Sequence, residues 1–219
     1  MSHKAFIFDL DGVIVDTAKY HFLAWKNLAE QLHIPFTHDD NEQLKGVSRV
    51  RSLEIILQKG NIQATDEQKN QWMHQKNDEY LQYIYQMDAS EILPDVVKVL
   101  DYLQAKQQKI VLGSASKNAR LILEKVNLLP YFDAIIDGNE VSKAKPDPEV
   151  FLKGAEKVDC LPQHCIVFED AIAGIEAANA AKMTSIGIGD ASILNEAQHV
   201  FPNFTHMPLH FIDELITKN

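Results

Sequence analysis

Four short runs in this 219-residue chain share one grammar, and that grammar constrains the fold more than any other feature. The runs are Ala5 to Phe8, Lys109 to Gly113, Ala134 to Ile136 and Cys165 to Phe168. Each is mostly apolar, each is halted by polar residues, and each is followed by a helical pattern. Short apolar runs bounded by turn residues suit strands buried on both faces. Strand-then-helix repetition implies a Rossmann-like α/β core, a mostly parallel sheet flanked by helices. Thr184 to Ile188 reads as a last core strand. Open sheets of this kind bind ligands beyond the carboxyl ends of their strands, so the polar groups that halt the runs should converge there.

Those groups have definite chemistry. Asp9 and Asp11 sit two apart, where a strand-like backbone would put both carboxylates on one side. Two such charges repel unless a proton or a cation intervenes, and a hard divalent ion, most simply magnesium, meets that need. An acidic turn is the alternative, with Gly12 easing the reversal. Ser114-Ala115-Ser116-Lys117-Asn118 presents free backbone N–H groups at a helix start, a natural anion site that is also compatible with a plain serine cap. Lys143 and Lys145 occupy a basic loop, with Pro148 at a helix start. Glu169 and Asp170 read in isolation as acids favoured by a helix dipole. Beside Asp9 and Asp11 they read as metal ligands, because four carboxylates would then gather against Lys145 alone.

Residues 18–90 break the pattern and read as an all-helical insertion between the first strand and the rest. Thr17 is placed to cap its first helix. Phe22, Trp25, Leu28, Ala29 and Leu32 form one stripe, Val50, Leu53, Ile56 and Leu57 a second, and Met73, Tyr80 and Ile84 a third. Lys45, Gly46 and Arg49 lie in the turn Leu44 to Arg49, which reads either as a phosphate grip or as a solvated connection. His21 falls beside a buried face, where a structural histidine is the ordinary occupant. Lys76 interrupts an apolar stripe, as a snorkelling lysine would.

Composition excludes several classes. Twenty-one basic against thirty-one acidic residues give a net charge of −10, which disfavours nucleic acid and anionic membrane surfaces as partners. No secretory signal or membrane-spanning stretch is expected. Cys160 and Cys165 lack a metal or redox spacing and read as plain thiols of a cytoplasmic protein.

The stretch Phe6 to Thr17 resembles the D-x-D-G-x-[VL]-x-D signature of the haloacid dehalogenase-like phosphotransferase superfamily. That resemblance implies Asp9 as the phosphorylated nucleophile, Asp11 as general acid/base, and Ser114 and Lys145 as phosphoryl-holding residues. It also implies Mg²⁺ held by Asp9, Asp11 through its backbone carbonyl, Glu169 and Asp170. The inserted helices are similar to those of the β-phosphoglucomutase family, which counts Thr17 with the catalytic group. By that similarity His21, Trp25, Lys45, Gly46, Val47, Ser48, Arg49, Ser52, Lys76, Ser116, Lys117 and Asn118 bind a sugar phosphate. The implied enzyme is a monomeric isomerase interconverting β-D-glucose 1-phosphate and D-glucose 6-phosphate, with β-glucose 1,6-bisphosphate as primer and intermediate. A sugar-phosphate phosphatase on the same scaffold is the alternative. The expected division is a core of residues 1–17 plus 91–219 and a helical cap of residues 18–90, hinged near Asp16–Thr17 and Ser90–Leu93. Asp11 is expected to have a pKa above that of an ordinary aspartate.

Overall fold

The computed structural model describes residues 3–217. Its strands are β1 (Ala5–Phe8), β2 (Lys109–Gly113), β3 (Ala134–Ile136), β4 (Cys165–Glu169), β5 (Thr184–Ile188) and β6 (His199–Phe201). They form one sheet in the order β3-β2-β1-β4-β5-β6, with every neighbouring pair parallel. Register pairs Phe8 with both Leu112 and Phe168, so the residues after these three end at one rim. This is the α/β architecture that the repeated strand-helix pattern implies.

Alternation along the strands builds a core on each face. Phe6 and Phe8 face α5 (Val96–Ala105), α6 (Ala119–Lys125) and α9 (Leu209–Thr217). Ala5 and Ile7 face α7 (Glu149–Lys157) and α8 (Ile172–Ala180). Both sides of β1 are therefore sealed, which is why its sequence is apolar throughout.

Between β1 and α5 the chain forms α1 (Ala18–Gln31), α2 (His38–Glu42), α3 (Arg49–Lys59) and α4 (Asp66–Ile84). Trp25, Leu28, Leu53, Ile56 and Leu57 close a separate hydrophobic cluster here. Tyr80 and Ile84 instead join the large cluster of the sheet, so α4 ties the inserted helices to the core. The two strands of chain leading in and out are paired: Asp16 N–H donates to Glu91 O at 2.9 Å and Leu93 N–H to Ile14 O at 3.0 Å.

Several expectations are corrected. Val50, expected in a buried stripe, is 53% exposed in the first turn of α3, which faces a cavity rather than the cluster. Thr17 makes no capping bond, since its hydroxyl is committed to Asp11. The sheet does not end at Ile188: β6 follows, with the His199 ring packed edge-on to Phe211 at 4.9 Å.

Phe168 is the keystone of the larger core layer. Its ring stacks on Phe8 with centroids 4.7 Å apart and meets Phe204 edge-on at 5.4 Å. Phe168→Ala is expected to cost about 3–5 kcal/mol in urea unfolding, the usual range for a buried aromatic truncation. A loss of under about 1 kcal/mol, typical of a surface change, would contradict that packing role.

Candidate active site

The converging strand ends bury a charged cluster. Asp9 continues the sheet by donating its N–H to Phe168 O at 3.0 Å, and the residue is 5% exposed. Glu169 closes β4, and Asp170 follows it. One carboxylate oxygen from each of Asp9, Glu169 and Asp170 lies within 4.8 Å of the others. Lys145, from the loop before α7, places its Nζ 2.6 Å from Asp9 Oδ1 and also bonds Glu169. Glu169 Oε2 accepts from the Ala171 N–H at 3.0 Å. Gly12 has φ +84°, and a side chain there would strike the Asp170 carboxylate.

Burial, opposed by Lys145 and aided by Glu169 and Asp11, pushes the Asp9 carboxyl up to about 7. Burial, with Glu169 and Asp9 close by, lifts Asp170 well above the usual range. For Lys145 burial opposes the charge, but Asp9 and Glu169 outweigh it and hold the ammonium protonated. Three acids thus face one bonded cation, with Lys45 farther off at 3.8 Å from Asp170. An oxygen-only set with excess negative charge is what a hard divalent ion takes, and these residues fit Mg²⁺.

Asp11 does not join that cluster, which corrects the expectation of four gathered carboxylates. The chain turns at Leu10, whose carbonyl accepts from Ile14 at 2.9 Å and Val15 at 3.1 Å, so the strand-like spacing stops at Asp9. Its carboxylate bonds the Thr17 hydroxyl and lies 3.7 Å from His21 Nε2. Lys76 Nζ sits 2.8 Å from His21 Nδ1 and 4.9 Å above the Trp25 ring. The expected rise in the pKa of Asp11 is also reversed. Burial raises it, but hydrogen bonds from His21 and Thr17 and the charge of Lys76 bring it below the ordinary value. Lys76 is 2% exposed and does not snorkel; burial and the Arg49 charge lower its pKa to about 7. Burial and Lys76 likewise lower that of His21.

A cavity of about 630 Å³ opens between the sheet rim and the inserted helices. Asp9, Asp11, Ser114, Lys145 and Asp170 line its sheet side, and Ser116, Lys117 and Asn118 extend that wall. His21, Trp25, Ser52 and Lys76 line the opposite side, together with the whole turn from Leu44 through Lys45, Gly46, Val47 and Ser48 to Arg49. Thr17 and Glu169 are not among the residues lining the cavity, but they bond to Asp11 and Lys145, which are. Gly46 has φ +71°, and a Cβ there would come within 2.8 Å of the Ala171 Cβ, so the turn lies directly on the start of α8. Across the far end, Arg49 Nη2 donates to Asn77 Oδ1 at 2.6 Å, and Asn118 Nδ2 donates to the same oxygen at 3.1 Å.

A family model for haloacid dehalogenase-like hydrolases matches residues 3–182. The chain is 43% identical to a β-phosphoglucomutase of Bacillus subtilis, across 96% of this chain and 94% of that protein. It is 30% identical to a phosphorylated carbohydrates phosphatase of Thermotoga maritima, across 89% and 91% respectively. The crystal structure of a β-phosphoglucomutase from Clostridium difficile superposes with a TM-score of 0.94 at 40% identity, covering 100% of this chain and 98% of that one. The chain belongs to the haloacid dehalogenase-like family.

Within this family member some cavity residues carry no signal in the sequence. Asn41, Asn70 and His74 line the cavity from ordinary helical positions. Tyr80 reads as one apolar position in a stripe, yet its ring stacks on His21 at 4.2 Å and carries the Lys76 ammonium at 4.5 Å. A lysine standing between Met73 and Tyr80 on an apolar stripe was the one available hint of an aromatic cradle.

The cluster predicts a coupled pH and metal response. The folded-state pKa of Asp9, about 7, lies above its unfolded value of 3.8. Without metal, the contribution of this group to stability is complete below 3.8 and is lost as pH rises through about 7. Metal binding requires the carboxylate, so Mg²⁺ should raise Tm more at about pH 8 than at about pH 5.5. Thermal unfolding with and without Mg²⁺ measures this, and a larger shift at the lower pH would refute the assignment of the ligands.

Proposed function

We propose that this protein interconverts β-D-glucose 1-phosphate and D-glucose 6-phosphate through a phosphorylated Asp9 and a β-glucose 1,6-bisphosphate intermediate. The observation that carries this reading is the presence of two anion-binding ends in one cavity. One end is Asp9, Ser114 and Lys145; the other is Arg49 with Ser116, Lys117 and Asn118. Hydrolysis of a monophosphate needs the first end alone, whereas isomerisation requires a hold on the phosphate that is not reacting. The resemblance to the B. subtilis and C. difficile mutases points the same way.

In the reaction, the Asp9 carboxylate attacks a phosphorus of the bisphosphate primer and displaces the sugar oxygen to form an acyl phosphate, dividing one difficult transfer into two easier ones. The phosphoryl group then passes to the free hydroxyl of the sugar, and Asp11, ionised as it stands here, accepts that proton. The bisphosphate turns over in the cavity, its other phosphoryl group passes to Asp9 as the bond from phosphorus to the sugar oxygen breaks, and protonated Asp11 gives its proton to that oxygen. Lys145 holds the nucleophile and the phosphoryl oxygens. Mg²⁺, held by Asp9, Glu169, Asp170 and the Asp11 backbone carbonyl, would screen negative charge on the transferring group.

The chain divides into a core of residues 1–17 plus 91–219 and a cap of residues 18–90. The cap pivots on the paired segments Asp16–Thr17 and Ser90–Leu93, and its closure excludes water that would otherwise take the phosphoryl group. The cavity is complete within one chain, which supports action as a monomer on a small-molecule substrate. The two free thiols, Cys160 and Cys165, support a cytoplasmic location.

Asp9→Ala should abolish isomerisation of β-glucose 1-phosphate followed by phosphorus NMR with Mg²⁺ and bisphosphate primer. Arg49→Ala should lower turnover by about 10²-fold, as loss of a positioning group does, while Asp9 still accepts phosphate. Parent-like isomerisation by either variant would refute the reading. Steady release of inorganic phosphate by the parent at the isomerisation rate would favour the phosphatase instead.

A further inference from the structure

We propose that Glu149, the first residue of α7, is a positioning residue that fixes the Ser142–Lys145 loop and so sets where the Lys145 ammonium stands. The inference rests on the reading above, in which Lys145 serves phosphoryl transfer at Asp9. Glu149 is outside the cavity wall and touches none of the reacting groups, yet its carboxylate is the point on which the loop is hung.

The contacts are specific. The Ser142 N–H donates to both carboxylate oxygens, at 3.1 and 3.0 Å. The Ser142 hydroxyl donates to Oε2 at 2.8 Å, and the Lys143 N–H to the same oxygen at 2.7 Å. Lys153, one turn along α7, pairs with Oε1 at 2.6 Å and also donates to Glu140 O at 2.7 Å. Asp147 closes the other side of the loop: its N–H donates to Ala144 O at 3.0 Å, and its carboxylate accepts the Glu149 N–H at 3.0 Å. A first-turn acid that served only the helix dipole would need none of the loop's donors. Here the carboxylate turns back to two consecutive backbone N–H groups of the loop. Lys153 and these donors bring its pKa down to about 2, which favours the ionised clamp.

The consequence falls on Lys145. A lysine ammonium is a point charge on a four-carbon stem, so its location follows the backbone that carries it. That backbone is anchored two residues upstream by Glu149, and the stem runs inward past the Phe151 ring to Asp9 and Glu169. Ser142, Lys143 and Ala144 line the cavity as well, so slack in the clamp would loosen one wall of the phosphoryl end. The remote end, at Arg49 and Asn118, shares no contact with Glu149.

The test uses the full chain with Mg²⁺ and compares the parent with Glu149→Ala, Glu149→Gln, Glu149→Asp and Lys153→Ala. Asp9 phosphorylation is timed with radiolabelled acetyl phosphate, kcat and KM are measured on the sugar phosphate, and Tm is recorded for each protein. Glu149→Ala and Glu149→Gln should slow labelling and lower kcat by about 10–100-fold, the usual cost of losing a group that orients a reacting one. KM for the sugar phosphate should stay within about threefold, because the remote phosphate grip is intact. Glu149→Asp should recover part of the rate, and Lys153→Ala, which leaves the loop bonds in place, should stay near the parent. The proposal is overturned if a folded Glu149→Ala labels at the parent rate, or if its loss only matches the fraction unfolded by Tm. A parent protein that takes no label at Asp9 would overturn the functional reading itself, which separates the two failures.

Discussion

The buried ammonium of Lys145 is the interaction on which the site depends. Register puts Phe8 beside Phe168, so the next residues, Asp9 and Glu169, emerge as neighbours at the sheet rim with Asp170 directly behind. A parallel sheet offers no way to separate them, and three carboxylates in one buried place repel strongly. Lys145 bonds two of them from a loop that is far away in sequence. Such a buried pair is weak grounds for stability, because desolvation offsets much of the attraction. Its value is positional: it fixes the Asp9 carboxylate while leaving uncompensated negative charge of the kind a cation takes.

Asp11 belongs to a second electrostatic compartment. Its neighbours Thr17, His21 and Lys76 lie at or beyond the entry to the inserted helices, not on the sheet rim. Asp11 is therefore tuned by groups of the inserted helices, while Asp9 is tuned by groups at the sheet rim. In the proposed reaction this ties proton transfer to cap position: moving α1 and α4 away removes the partners that hold the Asp11 carboxylate in place. Water entering an open cavity would then meet a base that is no longer oriented, which reinforces the exclusion of solvent by closure itself.

Much of this arrangement is legible in the residues. The strands that halt at Asp9, Ser114 and Glu169 are apolar on both faces, and burial on both faces leaves that plain mark. β6 and α9 left less trace, because His199–Phe201 is a three-residue, half-buried strand with no continuous apolar run. The orientation of Asp11 was misread because residue spacing describes extended backbone, and the turn at Leu10 ends the extension one residue earlier. Val50 shows the limit of periodicity: the same spacing marks a side facing a cluster and a side facing a cavity. Tyr80 and Glu149 were invisible as site residues, since a stacking partner and a loop clamp are defined by chain segments distant in sequence.

For a chain with net charge −10, the proposed binding of phosphate dianions is an electrostatic problem to be solved locally. The chain does so by aiming Lys45, Lys76, Arg49, Lys117 and Lys145 into one cavity. Screening makes this sufficient: at physiological salt the Debye length is about 8 Å, so acids on the outer surface are largely unseen from inside. The cations are also spread over both walls and not clustered at the nucleophile. A single cluster would bind one phosphate tightly and hold it, which serves hydrolysis. Cations at both ends, with Asn77 joining Arg49 to Asn118 at the far one, suit a bisphosphate that exchanges its ends without leaving the cavity. On the proposed reading it is this distribution of charge over both walls that suits an isomerase.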